Sequence, residues 1–306
     1  MTAASHLLPA PSLRVLLYHV VDYAGLFPPA SLPMEDAIRE YAAQRTGNDA
    51  WALGRFVLPA ARLDEFESAA AGNLPTSAAQ SWALSALLGS HLEEDLDRID
   101  LFNERHRDIR SGAIIVDTVE LKTHAVRDIA RASEMLDRRF DTYMEIPVAG
   151  DPAELIDAIS RTIAKAKIRT GGVTEDAFPT SAQVVRFIQR CLAHEVAFKA
   201  TAGLHHPWRA EYRLTYAPDA PHGTMFGFLN MLLCTAALLS DAGETAATGV
   251  LEERDQRSVR FDESGAHWRG MTFTTDVLDR AREAMVAFGS CSFAEPLGDL
   301  RALHLL

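Results

Sequence analysis

The sequence predicts an α/β protein folded as a single (β/α)8 barrel of the TIM type. Apolar, β-prone runs alternate with amphipathic helical patterns through most of the chain, a pattern typical of parallel strands joined by helical crossovers. Seven or eight such units are present, and a barrel of this kind needs about 250 residues. A doubly wound open sheet is the alternative.

The predicted strands are short and rich in branched or aromatic residues. They cover residues 15–21, 53–58, 82–88, 113–119, 142–146, 164–169 and 196–201, with a short eighth run at 285–288. The predicted helices cover residues 35–43, 92–103, 125–136, 153–163 and 181–194. In the last of these, Val184, Ile188 and Leu192 recur every four residues, which is the repeat of one apolar helical face.

The alternation stops after Gly203 and resumes with a helix near Thr274. The intervening segment contains a Pro-rich stretch at 217–221, an apolar helix at 226–239, a polar helix at 244–255 and a hairpin at 259–271. We interpret residues 204–273 as an insertion after strand seven that covers the mouth of the barrel. Residues 1–306 are then one domain.

Composition excludes several classes of partner. The chain has 306 residues, 48% of them hydrophobic, and a formal net charge of -12. An acidic protein of this kind is not expected to bind nucleic acid or an anionic membrane. Residues 1–12 lack the pattern of a signal peptide, and the longest apolar run, 225–239, is too short to span a bilayer. We therefore expect a cytoplasmic protein.

The three cysteines, Cys191, Cys234 and Cys291, are too few and too scattered for a disulfide framework or a zinc site. Only Cys291, in the last predicted loop, is a candidate for reactivity. The sequence thus predicts no resident cofactor or metal.

Two lysines have matching positions in the sequence. Lys167 and Lys199 each end a β-prone run, and each is followed four residues later by a glycine, Gly171 or Gly203. In a barrel the reacting groups lie at the C-terminal ends of the strands. Two amines held close together lower each other's pKa, which keeps a lysine nucleophilic near pH 7.

Other charged or polar residues also lie at predicted strand ends. They are Asp22, Asp117, Glu120, Lys122, Glu145, Arg169, His205 and His206. Side chains alternate along a strand, so Lys167 and Arg169 share one side, as do Lys199 and Thr201. We expect both lysines and Arg169 to converge with Asp117.

Several segments, taken in order, resemble the deoxyribose-phosphate aldolase family of class I aldolases over residues 113–203, and more weakly over 285–304. The segments are Val116-Asp117-Thr118-Val119, Glu145 at the end of strand five, Lys167-Ile168-Arg169-Thr170-Gly171, residues 175–182, Lys199-Ala200-Thr201-Ala202-Gly203 and Gly289-Ser290-Cys291-Ser292. The pair Ile168-Arg169 departs from the Thr-Ser of the family, and the segment 204–273 is foreign to it.

The resemblance implies a lyase without a cofactor. Lys167 would form the Schiff base, Lys199 would lower its pKa, and Asp117 would relay protons, with Glu145 beside them. The partner would be a small carbonyl substrate with an anionic group, held by Arg169. The remaining expected substrate contacts are Gly171, Gly172, Thr201, Gly203, His205, His206, Asp22, Glu120, Lys122, Gly289 and Ser290.

Two alternatives remain open at the level of sequence. One is a metal-dependent barrel lyase or isomerase, with Glu120, Glu145, His205 and Asp22 around a divalent ion. The other is a barrel that binds a ligand without catalysis. Whether the chain forms a homo-oligomer is also left open.

Overall fold

The computed structural model describes residues 9–77, 80–108, 110, 112–136, 138–240 and 242–306. Its centre is a closed barrel of eight parallel strands surrounded by helices, so the predicted fold class is confirmed. Residues 1–8, on which the expected absence of a signal peptide largely depends, lie outside the described residues.

The barrel strands follow one another in chain order around the ring. They are β1 (Val21–Tyr23), β2 (Leu53–Pro59), β3 (Trp82–Leu87), β4 (Ile114–Lys122), β5 (Asp141–Glu145), β6 (Lys165–Arg169), β7 (Phe198–Thr201) and β13 (Met285–Ser290). The ring closes where β1 pairs with both β2 and β13. The strand β4 runs three residues beyond its predicted end, so Glu120 and Lys122 lie on the strand itself.

Helices cover the outside of the barrel. They are α1 (Pro11–Leu17), α2 (Met34–Arg45), α3 (Leu63–Ala70), α4 (Leu92–Arg105), α5 (Val126–Leu136), α6 (Ala153–Ser160), α7 (Ser181–Ala193), α8 (Phe228–Leu239), α9 (Gly243–Leu251), α10 (Thr275–Ala284) and α11 (Ala294–Ala302). The sequence fixes where α7 begins, because Thr180 and Gln183 form a reciprocal capping box. Within the described part of the chain, no helix combines the length and apolar character needed to cross a bilayer.

The prediction of a first strand at residues 15–21 is wrong for most of its length. Residues 15–17 belong to α1, and only Val21 of the predicted run lies on β1. Pro11 occupies the first turn of α1, where its missing N–H has no cost. Leu13, Leu16 and Leu17 are all buried at helical spacing, so the apolar run reflects one helical face and not a strand.

The segment between β7 and α10 packs against two parts of the barrel, its side and its C-terminal rim. It contains the hairpin of β8 (Ala210–Arg213) and β9 (His222–Met225), and a three-stranded sheet of β10 (Val259–Phe261), β11 (Gly265–Trp268) and β12 (Met271–Thr274). The helix α8 packs against α7, α9, α10 and β13, and β11 packs against α1 and α10. Most of the segment therefore lies along the side of the barrel. The β8–β9 hairpin contacts residues 175–177, in the loop after β6, and so reaches the C-terminal rim.

The place of α8 in the helical ring gives a test of stability. Phe228 of α8 is buried, and its ring stacks on that of Phe288 in β13 with centroids 4.9 Å apart. Phe228→Ala should lower the free energy of unfolding by about 3–5 kcal/mol, measured by urea denaturation. As a control, Leu101→Ala removes a side chain that is 62% exposed and should cost less than about 0.5 kcal/mol. Similar small losses for both variants would mean that α8 does not pack as described.

Candidate functional site

A cavity of about 220 Å³ lies at the C-terminal ends of the barrel strands. Its polar lining consists of Glu120, Lys167, Arg169, Lys199, Thr201, His205 and Cys291. Its apolar lining includes Ala24, Phe27, Pro28, Pro29, Val57, Leu87 and Val173, and Gly172, Gly203 and Gly289 complete the wall. A site with one apolar side and a few converging polar groups is typical of a small-molecule pocket.

A lysine–carboxylate cluster of Asp22, Glu120, Glu145, Lys167 and Lys199 forms the charged side of this cavity. Lys199 Nζ lies 2.5 Å from Asp22 Oδ2 and 2.6 Å from Glu120 Oε1. Lys167 Nζ lies 2.7 Å from Glu120 Oε2 and 2.9 Å from Glu145 Oε2. The two lysines thus bind opposite oxygens of the same carboxylate.

The register of the barrel explains why these groups meet. Glu145 on β5 is the pairing partner of Lys167 on β6, and Lys167 is in turn the partner of Lys199 on β7. Three neighbouring strands therefore present charged side chains at one level. Ser85 Oγ on β3 donates a hydrogen bond of 2.6 Å to Glu120 Oε1, which fixes the orientation of the shared carboxylate.

The charges in the cluster alternate in sign, and this sets their protonation. Burial alone would lower the pKa of Lys199, but the negative charges of Asp22 and Glu120 outweigh burial and raise the pKa well above its usual value. Burial would raise the pKa of Glu120, but Lys167 and Lys199 hold it far below its usual range. Lys199 is therefore a permanent cation. The expectation that each lysine lowers the pKa of the other does not hold for Lys199.

Asp117 does not converge with the lysines. Arg55 binds it with two hydrogen bonds, of 2.7 Å from Nε and 3.0 Å from Nη2. The same guanidinium lies 3.5 Å from Asp141, which binds Lys165 at 2.8 Å. Asp141 and Lys165 are the first residues of β5 and β6, so this network lies toward the amino ends of the strands.

The level of each residue along β4 accounts for this correction. Asp117 comes three residues before Glu120, so it lies nearer the amino end of the strand, level with Arg55 and with the first residues of β5 and β6. The pairing of β3 with β4 shifts register at Asp117. The carboxylate that reaches the lysines is that of Glu120, which the sequence had identified as a substrate contact and as a candidate metal ligand.

Arg169 lines the cavity as expected, and it is only loosely held. Its Nε lies 3.6 Å from Glu145 Oε1, and half of its side chain is exposed. Thr201, Gly172, Gly203, Gly289 and His205 also line the cavity. The guanidinium therefore keeps donors available for an anion on the substrate.

Five expected substrate contacts do not line the cavity, namely Asp22, Gly171, Lys122, His206 and Ser290. Lys122 is exposed at the end of β4. His206 stacks on Tyr212 with centroids 3.6 Å apart, and its Nδ1 lies 2.6 Å from Asp299 Oδ2. The buried Ser290 lies behind the wall, with its Oγ 3.4 Å from His205 Nδ1.

Three features of the site were not identified from the sequence. Ser85 orients Glu120, Tyr143 places its ring 5.5 Å from Lys199 Nζ, and residues 27–29 form part of the apolar wall. A serine or tyrosine inside a predicted strand carries no signal of its own. For the apolar wall, the adjacent prolines 28 and 29 do mark a turn after the first strand. This turn was the one sequence signal that pointed to any of the three features.

The residues proposed for a metal site are already engaged. Asp22, Glu120 and Glu145 bind lysines, while His205 lies apart, next to Ser290 and Cys291. Within the described ranges, no group of three or more His, Cys, Asp or Glu residues has the geometry to hold a metal ion.

Comparison of the chain with protein-family models, with curated proteins and with solved structures found no match in any of the three. The functional interpretation therefore depends on the chemistry of the cavity.

The shared carboxylate gives a prediction about stability and pH. Glu120→Gln should leave Lys199 and Lys167 with too few negative partners and lower the free energy of unfolding by about 3–5 kcal/mol at pH 7. Because the folded state depresses the pKa of Glu120, its stabilising contribution is present above the unfolded value of about 4.3 and is lost as the pH falls below it. Urea denaturation between pH 7 and pH 3 should show the gap between the two proteins narrowing below about pH 4. A gap that stays constant over this range would contradict the assignment of charge.

Proposed function

We propose that this protein is a lyase of the class I aldolase type, which forms a Schiff base between Lys167 and a small carbonyl substrate that bears an anionic group. One observation carries the proposal. A lysine amine at the wall of the cavity shares a buried carboxylate with a second, charged lysine. This arrangement places a nucleophile beside a fixed cation.

Lys167 is better suited than Lys199 to act as the nucleophile. Lys199 is held by carboxylates at 2.5 and 2.6 Å on two sides, and these contacts favour its ammonium form. Lys167 is bound less tightly, at 2.7 and 2.9 Å. One of its two carboxylates, Glu120, is shared with Lys199.

Loss of the Lys167 proton leaves no buried carboxylate without a partner. Glu120 keeps its contacts with Lys199 and Ser85, and Glu145 keeps Arg169 nearby. An unpaired buried charge would cost several kcal/mol. The carboxylates around Lys167 thus keep cationic neighbours when its amine reacts.

The reaction balances with groups at the site. The Lys167 amine attacks the carbonyl carbon, a C–N bond forms, and the oxygen leaves as water to give an iminium ion. In cleavage, the hydroxyl on the distal carbon loses its proton and becomes a carbonyl. The C–C bond then breaks, and its electron pair moves to the iminium to give an enamine. Protonation of the enamine and hydrolysis return the amine.

Arg169 is the group best placed for the anion of the substrate. Its guanidinium is half exposed at the cavity and makes only a long contact with Glu145. Gly172 and Gly203 line the same part of the wall, and the absence of side chains there lets a ligand approach the backbone. A carboxylate or a phosphate satisfies this chemistry equally well.

Borohydride trapping tests the nucleophile directly. Wild-type protein incubated with acetaldehyde, acetone or pyruvate and then reduced should carry a stable adduct on Lys167, identified by peptide mass spectrometry. Lys167→Met should give none. Lys165→Met is the matched control, because Lys165 lies two residues earlier on β6 and binds Asp141 away from the cavity; it should trap like the wild type.

Removal of the second lysine should move the pH dependence of trapping. In Lys199→Met, Glu120 loses one of its two lysine partners, so its whole charge acts on the Lys167 amine and favours the ammonium form, which cannot attack a carbonyl. Trapping should therefore fall at pH 7 and recover at higher pH. An adduct on Lys199, or an activity abolished by EDTA and restored by a divalent metal, would count against this proposal. A ligand bound without any adduct would favour the non-catalytic barrel.

A further inference from the structure

A histidine cluster of His205, Ser290, Cys291, Tyr216 and Glu295 lies beside the end of β13, separate from the lysine–carboxylate cluster. His205 and Cys291 line the cavity, and the other three residues stand behind them. None of these residues has a part in the formation of the Schiff base described above. Their arrangement points to a second chemical role at the same cavity.

The ring of His205 is held through one nitrogen. Its Nδ1 lies 3.4 Å from Ser290 Oγ, 3.6 Å from Glu295 Oε2 and 3.7 Å from Cys291 Sγ. Tyr216 donates a hydrogen bond of 3.0 Å to the same Glu295 oxygen. A carboxylate beside Nδ1 favours the tautomer with its proton on that nitrogen, which leaves the lone pair on Nε2.

The other nitrogen, Nε2, has no hydrogen-bond partner among the residues that the structure describes. His205 is nevertheless buried and belongs to the cavity lining. An imidazole nitrogen without a protein partner, at the wall of a cavity, is available to a group on the ligand.

The lysine–carboxylate cluster provides no free base for the substrate hydroxyl. Glu120 binds both lysines and Ser85, and Glu145 binds Lys167. Against the effect of burial, their cationic neighbours lower the pKa of both carboxylates, so both stay charged and held in these ion pairs. The hydroxyl proton must still leave when the C–C bond breaks.

We propose that His205 is the catalytic acid–base residue that accepts this hydroxyl proton through Nε2, with Glu295 as a positioning residue. The inference rests on the proposed function. In cleavage, Nε2 takes the proton, the O–H electron pair becomes the new C=O bond, and the C–C electron pair moves to the iminium on Lys167. In the direction of addition, the imidazolium returns the proton to the new alkoxide.

The charged surroundings of His205 are consistent with this role. Burial, and next the neighbouring charge of His206, lower the pKa of His205 to about 4. The ring is therefore neutral at pH 7 and able to accept a proton. Burial raises the pKa of both Cys291 and Tyr216, so these two groups stay neutral, and Glu295 is the carboxylate that faces the imidazolium once it forms.

Three measurements on His205→Gln separate its role from that of Lys167. The first is borohydride trapping with acetaldehyde, acetone and pyruvate. The second is deuterium exchange on the same carbonyl compound, free in solution, at the carbon next to its carbonyl. NMR in D2O follows this exchange. The third is C–C bond formation between that donor and glycolaldehyde. Trapping and exchange should persist, whereas bond formation should fall by about 10²–10³-fold, the usual effect of losing a general acid–base group.

Two further variants serve as control and rescue. His222→Gln changes an exposed histidine on β9 that does not line the cavity and should match the wild type in all three measurements. His205→Gly should regain at least part of its bond-forming rate when imidazole is added, because free imidazole can enter the space left by the side chain and act as the base.

The outcomes distinguish this inference from the proposed function. Bond formation at the wild-type rate in His205→Gln would overturn the role of His205, and so would loss of trapping in a His205→Gln protein with an unchanged unfolding midpoint. Absence of any wild-type adduct on Lys167 would instead overturn the proposed Schiff base, and the role of His205 with it.

Discussion

The shared Glu120 carboxylate is the interaction on which the rest of the site depends. One of its oxygens binds Lys199 and the other binds Lys167, so neither lysine can be understood without it. Burying one charge is costly unless it is paired, and here each charge is compensated by neighbours on both sides. The chain Asp22–Lys199–Glu120–Lys167–Glu145 is thus a single electrostatic unit, contributed by five different strands or strand ends of the barrel.

The interior of the barrel holds a second ionic layer with a different character. Arg55, Asp117, Asp141 and Lys165 form a network toward the amino ends of the strands, and its side chains are partly exposed. Tyr143 lies between the layers, with its ring 5.5 Å from the amines of both Lys165 and Lys199. The buried lysine–carboxylate cluster is screened less by solvent than this second layer. Ion pairs of the same residue types therefore interact more strongly at the cavity.

Sequence patterns captured the architecture better than the roles of individual residues. Strand–helix alternation predicted the barrel, and the matched positions of Lys167 and Lys199 predicted their convergence, because neighbouring parallel strands in register bring equivalent positions together. The pattern could not show which acidic residue on β4 reaches them. That choice depends on the level of each residue along the barrel axis and on a register shift at Asp117, neither of which is marked by residue type. For α1, an apolar run with a spacing of three and four residues was mistaken for a strand because the run is short.

The turns that follow β6 and β7, at the rim of the cavity, are in direct contact with each other. A Cβ on Gly171 would lie 3.0 Å from Gly203 Cα and 2.5 Å from the Phe178 ring, so the two turns are in backbone contact. Thr170 strengthens the contact between the two turns with two hydrogen bonds. Its Oγ1 donates to Ala202 O at 2.7 Å, and its N–H donates to Thr201 O at 2.8 Å. The turns that follow the two lysine-bearing strands must then move as one body. A ligand in the cavity therefore meets one fixed wall on the side of β6 and β7, while residues 27–29, after β1, line it elsewhere.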